Sequence, residues 1–250
     1  MKRYMKHARS SLAFLTIQFA LLSASAVDAG SGIQIVLAGT WSGSDLKVES
    51  GSDWWGIFPE GDGFTLQSAP VTVTPARDEL VDSEGEMTGR LVAVPQEARP
   101  VLLVRGLDKL TPGPLNAVRH AGPWPFLFPG QSQDLSLAPE AQGEPVYITA
   151  YGAAEPFEES LLRIRDYRLR LSRGYGSEGV RQMLVQFAQI EGSDSPCLLW
   201  AGDLDRDGKV DLLFNLQTSY VGLHLGLFLS SAAKDGELVG LVAECTASGC

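Results

Sequence analysis

Tyr167-Arg168-Leu169-Arg170-Leu171 sets an apolar residue against an arginine at every step. A period of two belongs to a strand with one buried and one solvated face, because successive side chains leave a pleated backbone on opposite sides. The same period recurs outward along the chain. Val180 to Ile190 follows a glycine-rich turn. Leu198 to Ala201, Leu212 to Leu216, Leu223 to Leu229 and Leu238 to Ala247 are further apolar runs. Upstream, Ile33 to Trp41, Phe64 to Val73, Leu91 to Val94, Val101 to Val104 and Val146 to Tyr151 have the same character. Pro59-Glu60-Gly61-Asp62-Gly63, Pro112-Gly113-Pro114, Pro129-Gly130 and Lys234-Asp235-Gly236 punctuate them as turns. Fourteen prolines argue against long helices. The one short helix expected is Phe157 to Arg165. The pattern predicts an all-β fold, mainly antiparallel, as a sandwich or an irregular sheet assembly. The strands from Tyr167 to Ala247 would form one meander.

The N-terminus has the pattern of an export signal. Lys2, Arg3, Lys6 and Arg9 precede an apolar run from Leu12 to Leu22, too short to span a bilayer, and Ala24-Ser25-Ala26 supplies small residues for cleavage. We expect residues 1–26 to be removed, leaving 27–250 as a β-rich domain in the periplasm or outside the cell. One continuous domain and two packed subdomains meeting at a seam over residues 139–156 both fit the composition. The whole chain has a formal charge of −10, and its first 26 residues contain those four bases and no acid, so the remainder is more acidic still. That charge excludes nucleic acid as an expected partner. No segment of 27–250 is long and apolar enough to span a membrane. The expected partner is an unspecified protein, glycan or small molecule.

Between two apolar runs lies Gly202-Asp203-Leu204-Asp205-Arg206-Asp207-Gly208-Lys209-Val210-Asp211. Counted from Asp203, aspartates fall at positions one, three, five and nine, with glycine at six, where the chain must bend sharply. Four carboxylates so close repel one another unless a cation or protons compensate. Oxygen donors in a flexible loop suit Ca²⁺, with Mg²⁺ and a hydrated acidic turn as the competing readings. The spacing follows the helix–loop–helix calcium site, but position twelve is Phe214 in place of its bidentate glutamate, and the flanks are strand-like.

The loop resembles the calcium loop of FG-GAP and VCBS-type repeats, in which D-x-D-x-D-G-x-x-D lies between two strands and is followed by a run such as Asp211-Leu212-Leu213. The resemblance covers residues 198–230, in one copy, and so implies neither a propeller nor an adhesive function. It implies Ca²⁺ held by Asp203, Asp205, Asp207, the Lys209 carbonyl and Asp211. The side chains of Arg206 and Lys209 would then point away. The ion's expected role is structural.

Other motifs weigh less. Gly174-Tyr175-Gly176-Ser177-Glu178-Gly179 matches a dinucleotide fingerprint in letters, but a strand follows where a helix is needed, so a hairpin turn is expected. Of Trp54 and Trp55 one should face the core and the other is a candidate binding platform. Trp124 to Pro129 is similar. His120 and His224 are the histidines beyond the signal segment; there is no G-x-S-x-G or H-E-x-x-H. Glu155 with Glu158 or Glu159 could serve a glycosidase, although acidic surface pairs are common in so acidic a chain. Among Cys197, Cys245 and Cys250 the expected disulfide is Cys197–Cys250, with Cys245–Cys250 as the alternative. The sequence points to an exported binding or structural module stabilised by Ca²⁺. The competing class is a secreted or periplasmic hydrolase with a structural Ca²⁺.

Overall fold

The computed structural model describes residues 32–43, 46–79, 81–119, 126–137, 144–157, 161–174, 179–191, 196–217 and 222–248. The described strands are β1 (Gln34–Val36), β2 (Gly39–Trp41), β3 (Trp55–Glu60), β4 (Gly63–Ser68), β5 (Thr72–Ala76), β6 (Gly89–Ala93), β7 (Leu102–Arg105) and β8 (Gly113–Leu115). They continue as β9 (Ser132–Asp134), β10 (Val146–Phe157), β11 (Leu161–Arg173), β12 (Val180–Glu191), β13 (Cys197–Gly202), β14 (Asp211–Asn215), β15 (Gly222–Leu229) and β16 (Gly240–Ser248). A single 3-10 turn, Ser230–Ala232, follows β15. The fold is all-β, and every strand pair is antiparallel.

Four sheets form, with orders β1-β7-β3-β4-β8, β2-β6-β5, β12-β11-β10-β9 and β13-β14-β15-β16. In the last of these, β14 is buried on both faces, which explains its continuous apolar run. Leu212 and Phe214 pack with Ile148, Tyr167, Leu169 and Leu171 of the β9–β12 sheet. Leu213, one residue away and on the opposite face, packs with Ile35, Ile57, Leu66, Leu102 and Val104 of the five-stranded sheet. That sheet in turn sends Val36, Phe58 and Leu103 from its far face against Trp41 and Val92 of the β2-β6-β5 sheet. The alternation of side chains along each strand thus feeds successive cores, and the sheets stack as layers.

Several expectations need correction. The Tyr167–Ala247 meander is broken: β11 and β12 belong to one sheet and β13 to β16 to another, facing each other across a shared core. The described part of Phe157 to Arg165 is strand and not helix, since β10 runs to Phe157 and β11 starts at Leu161, pairing antiparallel, with residues 158–160 outside the described set. Asp166 adopts a φ of 51°, which interrupts the alternation so that Ile164 and Tyr167 are both buried. Two apolar residues three apart imitate a helical face. The runs Ile33–Trp41 and Phe64–Val73 each break into two strands. Asp82 accepts hydrogen bonds from the backbone N–H groups of Asp78 and Thr88 and from the Thr88 hydroxyl, and these hold its carboxyl below the usual range.

Tyr167 is fully buried and its hydroxyl donates to the Leu127 carbonyl at 2.9 Å. Burial raises its pKa above the ordinary phenol range. Tyr167→Phe keeps the ring, which stacks on Phe126 at 5.3 Å. It should cost about 1 kcal/mol in urea unfolding, the net worth of one hydrogen bond.

Candidate metal centre

The aspartate loop joins β13 to β14, so the incoming and outgoing strands expected from the sequence are both present. Its ends are clamped. The Val118 N–H donates to the Ala201 carbonyl, and the Asp203 N–H donates to the Asn116 carbonyl at 2.8 Å. Gly202 has no room for a side chain: a Cβ there would lie 2.3 Å from the Trp200 ring and 2.9 Å from the Ala117 Cβ. Leu204 is fully buried in one core and Val210 is buried in the other, so apolar anchors hold both shoulders of the loop. Gly208 has a φ of +84°, the left-handed bend its position demanded. Arg206 is also left-handed at +64°, and its guanidinium reaches out of the loop to the Thr111 and Pro112 carbonyls.

Carboxylate oxygens of Asp203, Asp205 and Asp211 lie within 4.8 Å of one another, and this is the group among the described residues that could hold a metal ion. Asp211 is fully buried and Asp203 is 8% exposed. Asp211 accepts hydrogen bonds from the Leu204 N–H and the Ser230 N–H, both at 2.8 Å, and from the Ser230 hydroxyl at 3.0 Å. The Gly208 N–H donates to Asp203 Oδ2 at 3.0 Å. The other oxygen of Asp203 and Oδ1 of Asp205 are buried with no hydrogen-bond partner. A buried carboxylate oxygen without a donor is costly, and a cation supplies what is missing. Oxygens spaced this closely can share an ion at the metal–oxygen distances of about 2.3–2.6 Å that Ca²⁺ takes. The donor set therefore fits a hard cation.

Asp207 and Lys209 are placed differently from that trio. Asp207 Oδ1 accepts the Lys209 N–H, and Oδ2 accepts the Ser230 hydroxyl at 2.9 Å. The Lys209 ammonium does not point away as expected: it lies 3.7 Å from Asp207 Oδ2, partly neutralising that carboxylate. Two contributors were not foreseen. Ser230 bridges Asp207 and Asp211, and the Ser231 hydroxyl donates to Asp205. Both lie far along the chain, but the pairing Leu212↔Phe228 brings the end of β15 beside Asp211. Two hydroxyls just beyond the strand that neighbours β14 were the available signal.

Burial is the main cause of the raised pKa values here. It lifts the Asp211 carboxyl to about 7, against the opposing pull of the Ser230 and Leu204 N–H groups and with help from the Asp205 charge. It raises Asp203 as well, with the Asp207 and Asp205 charges adding to it. A carboxyl whose folded value exceeds its unfolded value binds more protons when folded, so its contribution to stability is full in acid and falls as pH rises. In chelator, the contribution of Asp211 should be lost between about pH 4 and 7. Urea unfolding of wild type and Asp211→Asn in chelator checks the sign. The asparagine variant should lack the wild type's loss of stability across that window.

Among the described residues the remaining sequence candidates are not assembled into a reactive site. His224 Nε2 lies 2.8 Å from Glu244 Oε1 in a cross-strand pair on an outer face, and His120 lies outside the described residues. Glu155 is held by Arg165 at 2.9 Å and Arg163 at 3.8 Å, while Glu158 and Glu159 lie outside the described residues. Trp54 is fully buried under the Arg105 guanidinium, and Trp55 packs against the neighbouring core, so neither is a free platform. In the Trp124–Pro129 segment, Phe126 packs on Tyr167 and Phe128 is 44% exposed; Trp124 and Pro125 lie outside the described residues. The G-x-G-x-x-G stretch connects the antiparallel strands β11 and β12, a hairpin position, with residues 175–178 outside the described set. Among the described residues Cys197 and Cys245 form no disulfide, and burial pushes the Cys245 thiol up to about 11; Cys250, and with it both expected disulfides, lies outside the described residues. Residues 1–26 also lie outside them. No helix of the described residues is long and apolar enough to cross a membrane. Comparison of this chain with protein-family models, curated proteins and solved structures finds no match.

Proposed function

We propose that this chain is an exported β-rich binding or structural module in which a Ca²⁺ ion clips the β13–β14 hairpin to the end of β15. The observation that carries this reading is the pair of partnerless buried oxygens, on Asp203 and Asp205, beside the buried Asp211 carboxylate. The ion would be held by Asp203, Asp205 and Asp211, and the loop that resembles the FG-GAP and VCBS type would supply Asp207 and the Lys209 carbonyl as well. Ser230 and Ser231 tie this shell to the 3-10 turn after β15, so ion binding would add to the hydrogen bonds and the Leu204 packing that already join the loop to the end of β15. A structural role suits the arrangement, because protein groups surround the site on most sides. A cleft of about 170 Å³ next to the loop supports the binding half of the reading. Leu135, Val146, Leu171 and Val210 give it an apolar lining, and Lys209 and the ion-paired Glu144 and Arg173 add charged groups.

Two experiments test the reading. Thermal unfolding in Ca²⁺ and in chelator tests the ion. Intact-mass analysis of protein recovered from outside the cytoplasm tests export: the chain should begin at Val27. A protein that accumulates inside the cell with residues 1–26 attached contradicts export.

A further inference from the structure

We propose that β12 is an interaction edge at which two copies of this chain pair antiparallel about a two-fold axis. The edges of the four sheets are unequal. β1, β2, β8 and β9 are three residues each. β5 carries Pro75, β13 is covered by the Ala117↔Gly202 bridge, and β16 lies against β1. These are the ordinary devices that stop sheets from adding strands. β12 is neither short nor interrupted by proline; it carries one bulge, at Leu184, and the Gln182 amide bonds the backbone of Leu238 and Val239 near one end. It spans 12 residues, it is the last strand of its sheet among the described residues, and Gln182 to Ile190 contains neither a charge nor a proline. A long uncharged edge is a template for another strand.

The sequence of β12 commits the occupant to a second copy. An axis through Gln186 sets Arg181 of one copy opposite Glu191 of the other, at both ends of the contact. Closed two-fold contacts require such self-complementarity. The faces also match. Arg181 and Met183 are exposed and meet Glu191, which is half-buried, and Gln189, which is exposed. On the inner face, Gln182 meets Ile190 and Val185 meets Phe187, all of them buried or half-buried. Val185 and Phe187 already pack on the core beneath, so pairing would continue that core layer across the axis. Only Leu184, half-buried, and Ala188, exposed, differ; the first sits at the bulge where the register with β11 shifts. Glu191 is already positioned by Arg163 Nε at 2.9 Å and by the Gln189 amide.

Sedimentation velocity over a range of protein concentrations tests this. The wild-type chain should show a monomer–dimer equilibrium. Gln186→Glu puts two carboxylates face to face on the axis while giving each a cross-strand partner in its own Arg168, so the monomer should stay folded and the dimer weaken by about tenfold or more. Arg181→Glu should weaken it similarly, and Arg181→Glu with Glu191→Arg should restore it. Amides 182–190 of the wild type should become more protected from hydrogen exchange as concentration rises. A monomer at every concentration overturns the proposal. So does a dimer indifferent to both single variants, or a charge exchange that restores nothing.

Discussion

Asp211→Ala is expected to destabilise the protein by about 4 kcal/mol, the largest effect of any single substitution in the loop. The carboxylate is fully buried and serves three donors: the Leu204 N–H, the Ser230 N–H and the Ser230 hydroxyl. The two N–H groups are fixed by the backbone and cannot turn elsewhere. A buried donor stripped of its partner costs about 1–3 kcal/mol, more than the bond itself contributed. The loss is large against a typical total of about 5–15 kcal/mol. It also unties the end of β15 from the loop, because Ser230 reaches Asp207 and Asp211 together. Urea unfolding in excess Ca²⁺ measures it, with Asp235→Ala in the exposed turn before β16 as the control. The control should change stability by no more than about 0.5 kcal/mol. A cost below about 1 kcal/mol for Asp211→Ala would mean that the carboxylate does not organise the loop.

Saturating Ca²⁺ is expected to raise the melting temperature by about 5–10 °C over the value in chelator. An ion present at 100 times its dissociation constant adds about 2.7 kcal/mol to a protein that binds it only when folded. Extracellular modules bind in the range of about 10⁻⁴ to 10⁻³ M, so millimolar ion is the relevant range. Mg²⁺ should do less, because it demands a smaller octahedral shell and sheds water reluctantly. Asp205→Asn separates ion binding from simple loss of structure. It keeps the shape of the side chain and the oxygen available to Ser231, but removes one of the charges crowded beside Asp203 and Asp211. In chelator the variant should therefore be at least as stable as the wild type, since one repulsion has gone. In Ca²⁺ it should gain little.

Much of the fold was legible because strand periodicity records burial directly. The alternation at Tyr167 to Leu171 gave the strand and its faces, and the unbroken Leu212-Leu213-Phe214 run is explained by a sheet covered on both sides. What the sequence could not give was the assignment of strands to sheets. Ile190 and Leu198 are close in sequence and both apolar, yet they enter a shared core from opposite sheets. Nothing in local periodicity separates that arrangement from a continuous meander. The false helix at Phe157 to Arg165 has a specific cause in the left-handed Asp166, which buries two residues three apart.

The candidate site shows the same division. The loop's own geometry was readable: its aspartate spacing put Asp203, Asp205 and Asp211 together, and its glycine adopts the bend required of it. Its support was not readable, because Ser230 and Ser231 arrive through the register of β14 with β15. The ammonium of Lys209 was expected to leave the loop and instead lies beside Asp207. A charge that close competes with an ion for the same carboxylate, so Asp207 is the weakest of the four expected side-chain ligands.

Isothermal titration of Ca²⁺ into the chelator-treated protein, repeated with Asp205→Asn, tests the central claim most directly. The account requires one ion bound per chain by the wild type and little or no binding by the variant. No binding to the wild type at millimolar Ca²⁺, or equal binding by the two proteins, would contradict it.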